Sequence, residues 1–231
     1  LYNAFLFHDR QTTLNKSSAI LAEPVLSGLY AITDQHLMSG DVLFSKVEAA
    51  LRGGCRMLQY RHKQASDKLK RSEAQQLREL CWQYQASLII NDDLELALAV
   101  QADGVHIGQT DIPLRRVRRQ VGQQLLIGVS CHNSLELAQE AQQEGASYVA
   151  FGRFFTSHTK PQAPAAELEI LQHAKQQLQT PIVAIGGITR DNAPLAIRQG
   201  ADMVAVIHDL FSAQDPAEIE TRTRFFTGLF S

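Results

Sequence analysis

The chain is poor in cysteine. Cys55, Cys81 and Cys131 are odd in number, widely spaced and form no Cys-x-x-Cys pair. That argues against a disulfide framework and against a structural zinc site, and with no signal-peptide pattern it points to a reducing, cytoplasmic setting. Long apolar runs are also missing: Pro181–Ile185 is typical, and nothing approaches the ~18 residues of a membrane span. Charge of one sign is missing as well. Lys+Arg number 22 against 24 Asp+Glu, a net charge of −2, which gives no global electrostatic reason to expect nucleic acid or a membrane as partner. What the chain does have is 45% apolar and 20% charged residues. It can build a core, which excludes a disordered polymer or a collagen-like fibre.

Residues 1–27 lack a helical stripe and contain the polar stretch Gln11–Ser18. They read as an N-terminal arm or linker, with ordinary terminal fraying as the competing reading. The first residue is Leu1, and both an unusual start codon and an origin in a longer chain stay open. From residue 28 to 231 the pattern is regular. Short β-branched runs are expected as strands over Leu29–Thr33, Met57–Arg61, Leu88–Asn91, Gly104–Ile107, Leu125–Ser130, Tyr148–Gly152, Ile182–Gly186 and Met203–Ile207. Each is apolar nearly throughout, as a strand buried on both faces should be. Helices are expected over Leu43–Arg52, Asp67–Tyr84, Leu94–Val100, Leu114–Val121, Leu135–Glu144, Ala165–Leu178, Asn192–Arg198 and Pro216–Leu229. Ser66 is a natural N-cap. Gly53, Gly122, Gly145 and Gly200 stand near helix ends, where a left-handed residue is expected. Strict alternation of strand and helix implies parallel strands with right-handed crossovers. Eight units without an evident edge strand favour a closed (β/α)8 TIM barrel over an open doubly wound sheet, with chemistry at the C-terminal strand ends.

Polar residues cluster at those ends. Arg61 and Lys63 alternate, so both can face the mouth while Tyr60 and His62 face outward. With Lys160 they offer three cations to one polyanion, unless they form salt bridges to rim carboxylates. Asp92 and Asp111 end neighbouring strands; two carboxylates plus phosphate oxygens suit Mg²⁺, and helix N-capping is an equal alternative. The Gly186-Gly187 turn lets backbone N–H groups approach an anion, and the loop after the eighth strand is the usual second half of such a site. Ser157-His158-Thr159-Lys160 adds hydroxyls and a charge. His106 and His132 stand at strand ends and read first as structural. Neither Cys131 nor Ser130 carries a nucleophile signature, although the Ser130 hydroxyl can donate to an oxyanion or phosphate.

Taken in order, Leu29-Tyr30-Ala31-Ile32-Thr33-Asp34, Gln59-x-Arg61-x-Lys63, Ile90-Asn91-Asp92, Gly104-Val105-His106-Ile107-Gly108-Gln109-x-Asp111, Ile127-Gly128-Val129-Ser130, Thr159-Lys160 and Ala184-Ile185-Gly186-Gly187-Ile188 resemble one family. It is the thiamine-phosphate synthase (thiamine-phosphate pyrophosphorylase) family, and the resemblance spans residues 28–211. It implies alkyl transfer from 4-amino-2-methyl-5-hydroxymethylpyrimidine diphosphate to 4-methyl-5-(2-phosphooxyethyl)thiazole, or its carboxylated form, giving thiamine monophosphate and pyrophosphate. A dissociative, Mg²⁺-assisted route is implied.

Carried over by position, Gln59 would bind the pyrimidine. Arg61, Lys63, Asn91, Ser130 and Lys160 would hold the diphosphate, within a substrate-contacting run that also includes Tyr60 and His62. Asp92 and Asp111 would bind Mg²⁺. Ser157 and Thr159 would contact the thiazole, with His158 among the substrate-binding residues, and Gly186, Gly187, Ile207 and His208 would bind its phosphate. Arg61, Lys63, Ser130 and Lys160 would be the catalytic set. The chain departs from the family pattern at His208, often Ser, and at Gly152-Arg153 and Thr156–Lys160, often Gly-Pro and Pro-Thr-x-Thr-Lys. A thiazole tautomerase of the same fold, with a histidine near position 132 as acid/base, and a catalytically silent phosphate-binding barrel are the alternatives. The partners expected are the two small substrates, with homo-oligomer formation left open.

Overall fold

A computed structural model describes residues 26–156 and 165–230 of the chain. Eight strands alternate with helices: β1 (Gly28–Ile32), α1 (Asp41–Arg52), β2 (Met57–Tyr60), α2 (Asp67–Gln83), β3 (Ser87–Asn91), α3 (Leu94–Ala99), β4 (Gly104–Ile107), α4 (Leu114–Val121), β5 (Leu126–His132), α5 (Leu135–Gln143), β6 (Tyr148–Phe151), α6 (Glu169–Gln177), β7 (Ile182–Ile185), α7 (Ala193–Arg198), β8 (Met203–Val206), α8 (His208–Phe211) and α9 (Pro216–Gly228). The strands are parallel and close in sequence order, β8 pairing with β1 through Gly28↔Met203 and Leu29↔Val204. The expected (β/α)8 barrel is therefore present.

Alternation along each strand divides two cores. Leu29, Ala31, Leu58, Leu88, Ile90, Val105, Val149 and Val204 face the helices and pack with residues such as Val47, Leu77 and Ile219. Tyr30, Ile32, Met57, Ile89, Tyr148, Ala150, Val183, Met203 and Ala205 fill the barrel interior. Leu77, wholly buried on the inner face of α2, contributes about 1.5–3 kcal/mol by burial. Apart from the hydroxyls of Tyr30 and Tyr148, the inward positions become polar towards the C-terminal ends, at Gln59, Asn91, His106 and Ser130. That gradient is what creates a site above a packed floor.

Several expectations are corrected. The helix expected from Ala165 begins at Glu169, because Ala166 N donates to Arg153 O (2.8 Å) and ties the preceding stretch to the loop after β6. The four-residue α8 was not expected; it is too short to show periodicity, although its Leu210 and Phe211 are buried. At the end of α1 the positive φ falls on Gly54 rather than Gly53, whereas Gly122, Gly145 and Gly200 take it as expected. Ser66 does cap α2, accepting from Leu69 N (3.3 Å). The arm expected over 1–27 lies, apart from Leu26 and Ser27, outside the described residues. Among the described residues no helix is long and apolar enough to cross a membrane.

Candidate active site

A cavity of about 410 Å³ opens at the C-terminal end of the barrel, and eight strand ends contribute to its wall. On its β2–β4 side the wall is made of side chains. Gln59, Arg61, Lys63, Asn91, Asp92 and Asp111 all line it. Thr33, just past β1, fixes the backbone that carries Arg61. Its Oγ1 accepts from Arg61 N (2.8 Å) and donates to Arg61 O (3.3 Å). The guanidinium itself has no ion pair or hydrogen bond to the described residues, and it faces the cavity. Lys63 Nζ pairs with Asp92 Oδ2 at 3.0 Å.

Helix capping does not occupy the two aspartates. Asp93, not Asp92, caps α3, accepting from Leu96 N (2.9 Å), and α4 has Pro113 at its N-cap and no side-chain cap. Asp92 stands instead in the left-handed region at φ 63°. Asp111 turns back to accept from Gly108 N (2.7 Å). The two carboxyls lie close enough to share a hydrogen bond. Burial raises Asp111, and the neighbouring Asp92 charge adds to that. Burial also opposes ionisation of Asp92, but the Lys63 ammonium, together with hydrogen bonds from Asp111 and Asn91, holds Asp92 below its ordinary value. Two crowded carboxylates of this kind are relieved by a cation. No group of three or more His, Cys, Asp or Glu is placed to hold a metal among the described residues. The donor set therefore fits an ion that takes hard oxygens from one or two carboxylates and fills the rest of its shell with phosphate and water, which is the habit of Mg²⁺.

Beneath the mouth, Gln59 Nε2 donates to Tyr30 Oη (2.6 Å), and Tyr30 Oη lies 2.7 Å from Tyr148 Oη. His106 Nδ1 lies 3.2 Å from Tyr148 Oη, and its Nε2 lies 2.9 Å from Ser130 Oγ. The Tyr148 ring occupies space that Gly128 leaves open; a Cβ there would fall 2.0 Å from the ring. Burial pushes the pKa of both phenols well above the usual tyrosine value, so each stays a neutral hydroxyl. Ser130 is held from the next strand end, its carbonyl accepting from Gln109 Nε2 (2.6 Å).

On the β6–β8 side the wall is shaped by a glycine turn, with Arg153, His208 and Asp209 beside it. Gly186 and Gly187 have φ of 97° and 67°. A Cβ would fall 2.2 Å from Arg153 Cβ at Gly186, and 2.4 Å from Thr156 O at Gly187. Both the turn and the close approach thus require glycine. Asp209, in α8, clasps the neighbouring loop by accepting from Arg190 N (3.0 Å) and Arg190 Nε (3.1 Å). Ile207 and His208 complete this wall.

The cavity brings together Gln59, Arg61, Lys63, Asn91, Asp92, Asp111, Ser130, Gly186, Gly187, Ile207 and His208. It does not include Tyr60 and His62. Tyr60 donates to Glu73 Oε2 (2.6 Å), and His62 Nδ1 lies 2.9 Å from the same oxygen, so both side chains turn to α2, as strand alternation requires. Ser157, His158, Thr159 and Lys160 lie outside the described residues. Cys131 is buried on the outer face of β5, and burial pushes its thiol up to about 12, which removes it as a nucleophile. Tyr30, Tyr148, Gln109, Arg153 and Asp209 were not anticipated as site residues. The tyrosines were hidden inside apolar runs; the available signal was that a buried phenol needs a partner for its hydroxyl.

Comparison with known proteins gives the family of the chain and the fold it shares. A family model described as thiamine monophosphate synthase matches residues 29–210. The chain is 53% identical over 205 residues to a curated thiamine-phosphate synthase of Alcanivorax borkumensis, across 89% of this chain and 94% of that protein. Among solved structures it is similar to a thiamine phosphate pyrophosphorylase from Pyrococcus furiosus, with a TM-score of 0.80 and 33% identity over 90% of this chain and 96% of the other. A thiamine phosphate pyrophosphorylase from Bacteroides thetaiotaomicron superposes with a TM-score of 0.59 at 17% identity, over 87% and 96% of the two chains, a likeness of fold alone.

Proposed function

The chain belongs to the thiamine monophosphate synthase family, and from that premise we propose how its barrel mouth makes thiamine monophosphate from a pyrimidine diphosphate and a thiazole phosphate. Gln59 holds the pyrimidine. Arg61, Lys63, Asn91 and Lys160 grip the diphosphate, and the Ser130 hydroxyl donates to it. Ser157 and Thr159 contact the thiazole, while the backbone at Gly186-Gly187 and Ile207-His208 takes the thiazole phosphate. The observation that carries this reading is the Arg61 guanidinium. It lines the cavity beside Lys63 and the carboxylate pair, with no counter-ion among the described residues. A cation held that way is preorganised for an incoming anion.

The reaction asks for charge neutralisation rather than proton transfer. The C–O bond between the pyrimidine methylene and the diphosphate breaks, and its electron pair leaves with pyrophosphate. The thiazole nitrogen lone pair then forms the new C–N bond, leaving a thiazolium. That nitrogen has no proton to lose, so no general base is required. The chain's part is to hold the two substrates in line and to match the negative charge that grows on the leaving group. Asp92 and Asp111 would hold Mg²⁺, which supplies further charge neutralisation when bound. A thiazole tautomerase would have no use for Arg61, Lys63 and the carboxylate pair. Residues 28–231 would form the catalytic unit, and the three free, buried cysteines support work in a reducing cytoplasm.

The test is direct. Purified protein is mixed with both substrates and Mg²⁺, and thiamine phosphate is read as fluorescent thiochrome after oxidation, with no-enzyme and EDTA controls. Product that depends on enzyme and is lost with EDTA is expected. No product from folded protein with verified substrates would overturn the reading.

A further inference from the structure

One chain of hydrogen bonds crosses the barrel below the mouth, and the charge neutralisation just described makes no use of its middle. It runs from Gln59 through Tyr30, Tyr148 and His106 to Ser130, with separations of 2.6, 2.7, 3.2 and 2.9 Å. Its two ends both line the cavity. Proton counting fixes its direction. An amide nitrogen can only donate, so with Gln59 Nε2 on Tyr30 Oη the Tyr30 proton is left for Tyr148 Oη. The Tyr148 proton then goes to His106 Nδ1. A neutral imidazole accepting there carries its own proton on Nε2 and gives it to Ser130 Oγ. The Ser130 proton is left to point elsewhere. At the far end, Gln59 Oε1 has no partner among the described residues, yet it is not one of their buried unsatisfied atoms, so it opens on the cavity.

The chain has a second self-consistent state with every bond reversed. There the Gln59 NH₂ faces the ligand, His106 carries its proton on Nδ1, and the Ser130 hydroxyl is spent on His106. A mixed state strands a polar group inside the barrel, which is costly. Diphosphate oxygens only accept, so a diphosphate at Ser130 selects the first state. That state presents a carbonyl oxygen at Gln59, which accepts from an amino group and repels an oxo group.

We propose that Tyr30 and Tyr148 are positioning residues that couple the two ends of the site, so that diphosphate bound at Ser130 commits Gln59 to a pyrimidine with an exocyclic amino group and against its oxo counterpart. The proposal rests on the functional reading above, which brings such a substrate to the mouth.

Tyr30→Phe and Tyr148→Phe keep the packed rings and cut the coupling. kcat/KM is measured for the aminopyrimidine diphosphate and for its 4-oxo analogue. The amino-over-oxo ratio is expected to fall about 10- to 100-fold in each variant, the scale of one buried hydrogen-bond mismatch, while KM for the thiazole phosphate holds. A second readout needs no turnover. In wild-type protein labelled with ¹⁵N-histidine and saturated with magnesium pyrophosphate, His106 is expected as the neutral Nε2–H tautomer, and in Tyr148→Phe that preference is lost. An unchanged ratio in both variants, or a proton on Nδ1 in the pyrophosphate complex, overturns the proposal. Wild type that turns over neither pyrimidine overturns the functional reading and this inference with it. Turnover with an unchanged ratio removes this inference alone.

Discussion

The two sides of the mouth are built from different materials. From β2 to β4 the wall is lined by a guanidinium, an ammonium, two amides and two carboxylates. From β6 to β8 its shape is set by a main-chain turn at positive-φ glycines and by the clasp from Asp209. The first wall depends on residue identity, because each charge sits on a particular side chain. The second depends on conformation, because an N–H belongs to every residue except proline. A substitution such as His208 on the second wall changes a side chain and leaves the local N–H in place. The same freedom does not exist at Arg61.

The sharpest way to break this contrast is Arg61→Ala. Removing a preorganised charge from the leaving-group side should lower kcat about 10²- to 10³-fold, the usual effect of losing one donor aimed at developing charge. The thiochrome assay at saturating substrates checks it, and near-wild-type turnover would take Arg61 out of the diphosphate site. Asp92→Asn comes next. It removes one of the two carboxylates while keeping a side chain of the same shape, so the Mg²⁺ concentration for half-maximal rate should rise. The rise should reach at least the ~10- to 100-fold that follows loss of an outer-shell partner. A superimposable Mg²⁺ titration would leave Asp92 as the counter-ion of Lys63 and no more.

On the backbone wall the corresponding change is Gly187→Ala. The new Cβ would sit 2.4 Å from Thr156 O, on a residue whose φ is 67°. Strain and overpacking should cost about 1–3 kcal/mol. Thermal melting should show the loss, together with a raised KM for the thiazole phosphate and a smaller change in that for the pyrimidine diphosphate. Equal effects on both substrates would mean that the two walls are not separable.

The same contrast explains what the sequence could and could not disclose. The side-chain wall was legible because its residues fall at strand ends in recognisable spacing: Gln59-x-Arg61-x-Lys63, Asn91-Asp92 and Asp111. Even so, spacing alone could not separate metal binding from capping at Asp92. The structure removes the capping reading, because Asp93, one residue on, supplies the cap itself. The barrel was legible because eight apolar runs alternate with amphipathic ones. Its polar interior was not. Tyr30 and Tyr148 sit in runs that read as core, and they are core by burial; only closure of the barrel brings residues 118 positions apart within 2.7 Å. The backbone wall showed itself only as a double glycine, since main-chain geometry leaves little trace in residue type. The clasp from Asp209 to Arg190 left none, because it joins two loops that meet only when β7 and β8 lie side by side.

That clasp gives the mildest test and the one that bears most closely on the contrast. Arg190 Nε and backbone N both donate to Asp209 Oδ2 (3.1 and 3.0 Å), so one carboxylate oxygen holds the loop after β7 to the start of α8. The Arg190 side chain is 41% exposed, and an ion pair so open to water is worth about 0.2–1 kcal/mol. Arg190→Ala also leaves the backbone N–H bond to Asp209 intact. If the wall works through conformation, the substitution should loosen the two loops slightly. KM for the thiazole phosphate should then rise, at most about fivefold, which is what 1 kcal/mol allows. The value of kcat should stay level, since no charge that faces the leaving group has moved. A drop in kcat comparable to that of Arg61→Ala would show that charge on the backbone wall also takes part in the bond-breaking step, and the division between the two sides would fail.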